Sequence, residues 1–441
     1  MGFRKTIILI LVLIIGFVLL YYFAPSLSKP FINFSVLLLV NIYVWSAISK
    51  RVKKQQNILK YALSFLFWLP LLLVIAASVS LLFMNLDEWS SFLRVYFVGG
   101  LFAYIFSLIF PVLFLFAADM IRWGQLLFVS KKKNTKRVDS IKGEPISRKK
   151  FLVNTGLSLG GLALGTMGFG MLHGNYNFKI WKYQIKINRA PKGLKGLKIV
   201  QISDLHLGTW VSKEPLEEVV EYINQLNADL VFFTGDLVNA KTAEALSFAS
   251  TLGKIHANYG VFASLGNHDY GHYYRWESEE AKQKNDDDLI NFYKDINWKL
   301  LRNESESIMI NGHHLMVVGV ENWSLNPRFP QLGDLEMAMK SGQTADLCLL
   351  LSHDPTHWDQ KVKDFHLPID VTFSGHTHGF QFGIESSLFR WSPAQYLYKH
   401  WAGLYSDLAN EKHLNVNRGI GAIGFPGRVG IRPEISFIEI V

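Results

Sequence analysis

Cysteine is almost absent from this chain: one residue, Cys348, in 441. No disulfide can close within it, so cysteine usage does not report the compartment. Cys348 stands in the apolar run LCLLL and reads as a buried strand residue, not a reactive thiol. Charge is also scarce, at 18%, against 49% apolar residues. That balance points to a membrane portion. The C-terminal half has no basic, aromatic-interleaved stripe, so nucleic acid is not an expected partner. The net charge of +9 is almost all local. Residues 131–150, KKKNTKRVDSIKGEPISRKK, hold nine Lys/Arg against Asp139 and Glu144. A basic run beside apolar segments marks membrane topology.

Where charge is missing, the runs are long. Thr6 to Phe23 carries none, and as a helix it would span about 27 Å, close to a bilayer core. Phe31 to Ser49, Tyr61 to Met84 and Tyr96 to Ala118 are three more such runs. Residues 1–125 are therefore expected to form four transmembrane helices, with 126–150 a basic cytoplasmic linker. A fifth run, Phe151 to Leu172, is rich in Gly, Ala, Ser and Thr and follows SRKKFL. It resembles a twin-arginine export signal, with Arg148-Lys149 where two arginines would stand. The other reading is a fifth transmembrane helix with a basic flank. Basic and non-basic loops alternate, at Arg4-Lys5, around Lys29, over 49–60, over 84–94 and over 131–150. By the positive-inside rule this expects residue 173 onward outside the cytoplasmic membrane. No acid–base pair lies within the apolar runs to mark a transport path.

From about residue 177 the pattern turns globular. LKIVQIS, DLVFFTG, GVFASLG, ADLCLLLS and IDVTFSG read as strands. Residues 213–227 and 241–256 read as helices, and SIMINGHHLMVVGV as a hairpin turning at Asn311-Gly312. Such alternation predicts an α/β domain over 177–441, with reactive groups just past the strand ends.

Each strand is followed by polar residues of one kind. After LKIVQIS come Asp204 and His206, after DLVFFTG Asp236, and after GVFASLG Asn267-His268-Asp269. After ADLCLLLS comes His353, and after IDVTFSG His376 and His378. Taken singly, an Asp or Asn there is a turn or cap, and a His a hydrogen-bonded core residue. Five strand ends together, converging along one rim, are far more specific for a metal centre. Carboxylate, amide and imidazole donors without thiolate suit Mn, Fe or Zn.

D-x-H, G-D, G-N-H-D, a later His and G-H-x-H in this order resemble the calcineurin-like metallophosphoesterases, over residues 198 to about 437. The membrane start and GHTHGFQ resemble the membrane-tethered, YkuE-like branch. The resemblance implies a two-sheet β-sandwich flanked by helices, following the all-α transmembrane region. It implies two divalent metal ions. Asp204, His206 and His378 would hold one; Asn267, His353 and His376 would hold the other; Asp236 would bridge them. His268 would be catalytic, with Asp269 orienting its ring. Asn239 and Asn322 stand where the family often has acids. Arg428, in the glycine-rich tail segment, is a candidate for substrate phosphate, with a structural role as its alternative.

The resulting expectation is a metal-dependent phosphoric ester hydrolase acting on a phosphodiester or a lipid or cell-envelope phosphate. The alternatives are a non-catalytic metal-binding or sensor domain on a membrane anchor, and a nucleotide-sugar lipid pyrophosphatase of the UDP-diacylglucosamine type, whose cytosolic substrate conflicts with the expected topology. The aromatic loop 389–405 is either a lid or bilayer-dipping surface, or an ordinary packed excursion.

Overall fold

The computed structural model describes residues 3–23, 25–81, 83–84, 89–128, 148–340, 345–386, 388–407, 409 and 411–441. The chain divides into two compact units. One is Met1–Ser90 with Gly100–Gly168, the other Ser91–Gly99 with Phe169–Val441.

The apolar runs form helices α1 (Phe3–Phe23), α2 (Pro25–Val52), α3 (Asn57–Ser80), α4 (Ser91–Phe128) and α5 (Arg148–Leu172). In hydrocarbon a helix satisfies every backbone polar group internally, which is why such runs take this form. Among the described residues, four segments are long and apolar enough to cross a membrane: Ser28–Val52, Asn57–Ser80, Ser91–Gly124 and Lys150–Tyr176. Leu11–Tyr22 is a shorter apolar helix among the described residues. Helix α4 runs ten residues beyond the end of its charge-free stretch. Most of the basic linker, 129–147, lies outside the described residues. The glycines of the fifth run have a packing role. A Cβ on Gly156 would stand 2.7 Å from Phe114 Cβ, and one on Gly160 2.8 Å from the Ser107 carbonyl. Small residues four apart let α5 lie against α4 at backbone distance.

In the second unit the strands are, in order, β1 (Lys179–Ile185), β2 (Lys198–Ile202), β3 (Leu230–Phe233), β4 (Val261–Ala263), β5 (Lys299–Leu300), β6 (Glu304–Ile310), β7 (His313–Gly319), β8 (Leu347–Leu351), β9 (Val371–Ser374), β10 (Ile384–Glu385), β11 (Arg390–Trp391), β12 (Gly403–Asp407), β13 (Lys412–Val416) and β14 (Glu434–Ile440). They build two six-stranded sheets, ordered β1-β14-β2-β3-β4-β5 and β12-β13-β9-β8-β7-β6, with β10-β11 a separate hairpin. Strands β2, β3 and β4 are mutually parallel, as are β7, β8 and β9. Their near-continuous apolar runs suit strands covered on both faces.

The inner faces meet through Ile199, Leu230, Phe232 and Phe262 on one sheet and Leu349, Leu351, Val371 and Phe373 on the other. Phe232 and Phe373 touch edge to face at 4.9 Å. Helix α6 (Glu214–Gln225) buries Leu216, Val219, Val220 and Ile223 on the outer face of the first sheet. That spacing is one helical stripe. The Asn311-Gly312 turn has φ of 51° and 80°, as a tight hairpin between antiparallel strands requires.

Two expectations change, and two elements are new. Residues 241–256 are not one helix but two 3₁₀ turns and a short α7 (Ala249–Leu252). The start is pinned instead: Thr242 N–H and Oγ1 bond Asn285 of α8 (Glu279–Asp295). Helix α8 has only a weak apolar stripe within an acidic run, and β1 has no strong alternation, so neither is apparent in the sequence. Finally, the five strand ends do not share one rim. Three belong to the first sheet and two to the second.

Candidate metal centre

Because the sandwich aligns both sets of parallel strands, the residues past β2, β3, β4, β8 and β9 meet between the sheets. Asp204, His206 and His378 form one group of converging ligand atoms; Asp236, His353 and His376 form a second. His378 Nε2 is 3.1 Å from Asp204 Oδ1 and 3.1 Å from His206 Nε2. His353 Nε2 is 3.3 Å from His376 Nδ1. Asp236 Oδ2 faces both groups, 3.1 Å from His353 Nε2 and 3.6 Å from His206 Nε2.

The backbone is bent to achieve this. Asp204, His206, Asp236, His376 and His378 all have φ between 44° and 71°. A non-glycine residue in that region costs about 1–3 kcal/mol, a cost typical of functional sites. The glycines of the motifs are explained by crowding. A Cβ on Gly266 would lie 2.2 Å from Asp236 Oδ1, and one on Gly375 2.3 Å from Asp204 Oδ2. The His376 N–H donates to both Asp204 oxygens at 3.1 Å, tying the two sheets together.

Electrostatics follow from burial. It would push the Asp204 and Asp236 carboxyls up, but facing imidazoles, His378 for one and His353 for the other, hold both well below the usual range. Burial drives His206 well below the usual imidazole value and lowers His376. At His353 burial is outweighed by Asp236, and the value rises to about 10. Among the described residues, no lysine or arginine forms an ion pair with either carboxylate. His353 Nδ1 donates to the Thr234 carbonyl at 2.6 Å, which leaves its Nε2 lone pair for the centre.

Asn267 lines the same cleft. Its Nδ2 donates to Tyr273 Oη at 2.9 Å, while its Oδ1 is buried without a partner. Unpaired buried acceptors, converging imidazoles and two carboxylates with no lysine or arginine ion-paired to them are the donor set of divalent cations. The residues present therefore fit two such ions.

His268 also lines the cleft, its ring 4.9 Å from that of His206. Asp269 does not orient it. That carboxylate accepts the N–H groups of Asp236, Leu237 and Gly266 at 2.8–2.9 Å, and so braces the loops. Burial, and then the nearby Asp236 charge, push it up to about 7. The His268 ring is fixed instead by Nδ1 donating to the Asn239 carbonyl at 2.7 Å. A backbone carbonyl does the orienting, so the missing acid at 239 leaves that function intact. Asn322 clamps a loop, its Nδ2 donating to Pro330 O at 2.7 Å.

Arg428 is not placed to meet a substrate. It is buried behind His378 and donates to the carbonyls of Arg418, Gly419 and Gly421 at 2.6–3.0 Å. Burial pulls its value down to about 9.

Some site residues carry no motif. Asp354 Oδ2 is 3.4 Å and Tyr398 Oη 3.0 Å from His376 Nε2. Asp354 directly follows His353 in sequence, which is the one signal available for it. Phe329, Phe380, Phe425 and Tyr398 wall the cleft, whose volume is about 360 Å³.

Comparison with known proteins agrees with this geometry. Residues 197–380 match the model of the calcineurin-like phosphoesterases. Residues 27–175 match a "Probable Calcineurin-like phosphoesterase, transmembrane domain", a span that takes in α5 and begins after α1. A zebrafish (Danio rerio) transmembrane protein with metallophosphoesterase domain is 28% identical over 62% of this chain and 59% of its own length. The metallophosphoesterase YkuE of Bacillus subtilis is 28% identical over 67% of this chain and 98% of its own. A Campylobacter jejuni metallophosphoesterase is 26% identical over 92% of this chain and 97% of its own. On these grounds the chain belongs to the calcineurin-like metallophosphoesterases, a family of metal-dependent phosphoric ester hydrolases, in a branch that carries the domain on apolar membrane helices.

Proposed function

We propose that the protein hydrolyses phosphate esters with two divalent cations, Mn, Fe or Zn. The observation that carries this reading is the position of Asp236 Oδ2 between the two ligand groups. Asp204, His206 and His378 would hold one ion, and Asn267, His353 and His376 the other, with Asp236 shared. When bound, such ions supply Lewis acidity toward phosphoryl oxygens and acidify water. The chain supplies the rest. His353 is oriented with Nε2 toward the centre by Thr234, and His376 with Nδ1 toward it by Asp354 and Tyr398. His268, with Nδ1 committed to Asn239, keeps Nε2 to stabilise or protonate the leaving oxygen. The aromatic walls limit water around the ester.

The test is metal analysis of the purified full-length protein together with turnover of a nitrophenyl phosphodiester. Two ions per chain with metal-dependent turnover are expected. Full activity at one ion per chain would refute the shared-ligand reading. A non-catalytic metal-binding role predicts two ions and no turnover of any ester.

The catalytic domain is placed outside the cytoplasmic membrane in this proposal, on the alternation of basic loops. Reporter fusions after residues 140 and 180 should report opposite sides. The same side for both would exclude a crossing by α5.

A further inference from the structure

The cleft is joined to the ends of two membrane spans. Ser91–Gly99 and the chain from Phe169 onward belong to one compact unit with the metal centre. Arg428 N–H donates to Gly170 O at 3.1 Å. A Cβ on Gly427 would stand 2.9 Å from Met171 N, and one on Gly99 2.6 Å from Pro426 Cγ. The segment fastened in this way is also cleft wall, since Phe425 lines the site. Gln381 Nε2, on the opposite wall, donates to the carbonyls of Phe425 and Gly427. Beyond it Phe382 bridges to Val429, and Gly383 N–H donates to Val429 O at 2.9 Å. Contact is thus continuous from the span ends, through 425–429, to the base of the β10-β11 hairpin.

That hairpin and its surroundings expose apolar side chains that nothing in the unit covers. Leu388 is 96% exposed and Leu397 71%; Phe380, Phe382, Ile384 and Phe389 are exposed as well. On the span ends, Phe92, Phe169 and Leu172 are exposed in the same way. So many exposed apolar side chains on one hairpin and its surroundings are rare on a water-facing domain. The hairpin's attachment through 425–429 to the ends of two apolar, membrane-length helices says what covers it: the interfacial layer of the bilayer, where aromatic side chains are favoured.

We propose that this rim lies in the bilayer interface, and that the metal centre takes the phosphate ester headgroup of a membrane lipid entering from the membrane plane. The substrate half rests on the phosphoesterase reading above; the position of the rim does not.

Both halves can be tested on the full-length protein in nanodiscs of phosphatidylethanolamine with phosphatidylglycerol and phosphatidic acid, a diester and a monoester. Cys348 is buried and is the only cysteine, so Leu388→Cys accepts an environment-sensitive dye selectively. Met309→Cys is the control. Met309 is exposed beside the β6-β7 turn, and β7 runs parallel to β8, so that turn lies at the sheet end opposite His353. The dye at 388 should shift to the blue and be quenched by doxyl-labelled lipids, and the dye at 309 should not. No quenching at 388, or equal quenching at both positions, would overturn the position of the rim. In the second arm, Ile384→Glu with Leu388→Glu should lose at least ~10-fold in release of water-soluble product from the nanodisc lipids (phosphate from phosphatidic acid, glycerol or glycerol phosphate from phosphatidylglycerol), the effect of withdrawing roughly one leucine-sized group from the bilayer. Turnover of the soluble nitrophenyl diester should stay unchanged. Wild-type protein that turns over the soluble ester but releases nothing from either lipid would overturn the lipid half. Quenching at 388 with no turnover of any ester would instead sink the phosphoesterase reading and leave the rim in place.

Discussion

Two buried polar clusters lie within this domain, and they are built on opposite terms. Around Arg418, the guanidinium meets Glu434 and, at 2.6 Å, Glu385, and stacks over Trp181 at 4.3 Å. Ser436 Oγ donates to Glu434 at 2.6 Å, and Asn417 Nδ2 to Ser436 at 2.9 Å. Burial would lower the guanidinium's value, but Glu434 and Glu385 raise it above normal. Both carboxylates share a cation, and the network closes on itself. Around Asp236 nothing closes. Two carboxylates and four imidazoles converge with no lysine or arginine ion-paired to them, and acceptor atoms such as Asn267 Oδ1 are left over. Buried charge without compensation is too costly to persist unless something else supplies it. The contrast separates a polar cluster that holds the fold from one that holds ions.

The largest effect expected from this contrast is at Asp236. Asp236→Asn keeps the shape and removes the charge shared by both groups. It should cost at least about 10³-fold in kcat/KM, because the loss reaches both ions at once. Metal analysis should show depletion, with the metal-free protein still unfolding in one cooperative transition. A variant with full metal content and activity would erase the distinction between the two clusters.

His268→Ala should lower kcat by about 10²–10⁴-fold, the range for a group that acts on the leaving oxygen. Metal content should remain at the wild-type level, since no coordinating atom is lost. The defect should be smaller on a nitrophenyl ester than on an alkyl ester if the ring acts as the acid. Loss of metal in this variant would move His268 into the ligand set.

The opposite cluster should behave in the opposite way. Arg418→Met leaves Glu434 and Glu385 buried without their cation, which typically costs about 3–5 kcal/mol of stability. Chemical denaturation would measure this, while metal stoichiometry of the folded fraction should not change. Metal loss at full stability would mean that the two clusters are one system.

Much of this was legible in the sequence because it depends on local order along the chain. Strand, glycine and ligand stand within a few residues of each other at Gly235-Asp236, Gly266-Asn267 and Gly375-His376, and parallel strands carry their ends to one side. What was not legible depends on distant pairing. Nothing near Asn239 indicates that its carbonyl, not Asp269, would hold the His268 ring. Nothing around Arg428 says that its Nε and Nη2 donors would be spent on the loop carbonyls 418–421. The division of ligands between two sheets is set by β14 and β13, strands far along the chain that complete each sheet next to β2 and β9. The same limit explains the fifth apolar run. Nothing around its glycines indicates that Ser107 and Phe114 would pack against them.

The smallest effect sharpens the contrast inside the metal centre itself. Asp354 touches no second ligand: its Oδ2 faces only His376 Nε2, at 3.4 Å, and its Oδ1 accepts from Thr356 N–H at 2.8 Å and Thr356 Oγ1 at 2.7 Å. His376 presents Nδ1 to the centre and Nε2 to Asp354. A carboxylate behind an imidazole fixes the ring and raises its basicity, and removing such a partner typically costs about 10–100-fold in metal affinity. Asp354→Asn should therefore weaken one ion and spare the other, because Asp204, His206 and His378 have no contact with Asp354. A metal titration that resolves two binding steps would show one step moved to higher concentration and one unmoved. Both steps moving together would mean that the ions bind as a single cooperative unit through Asp236. Neither moving would mean that Tyr398, at 3.0 Å from the same nitrogen, is enough to hold the ring alone.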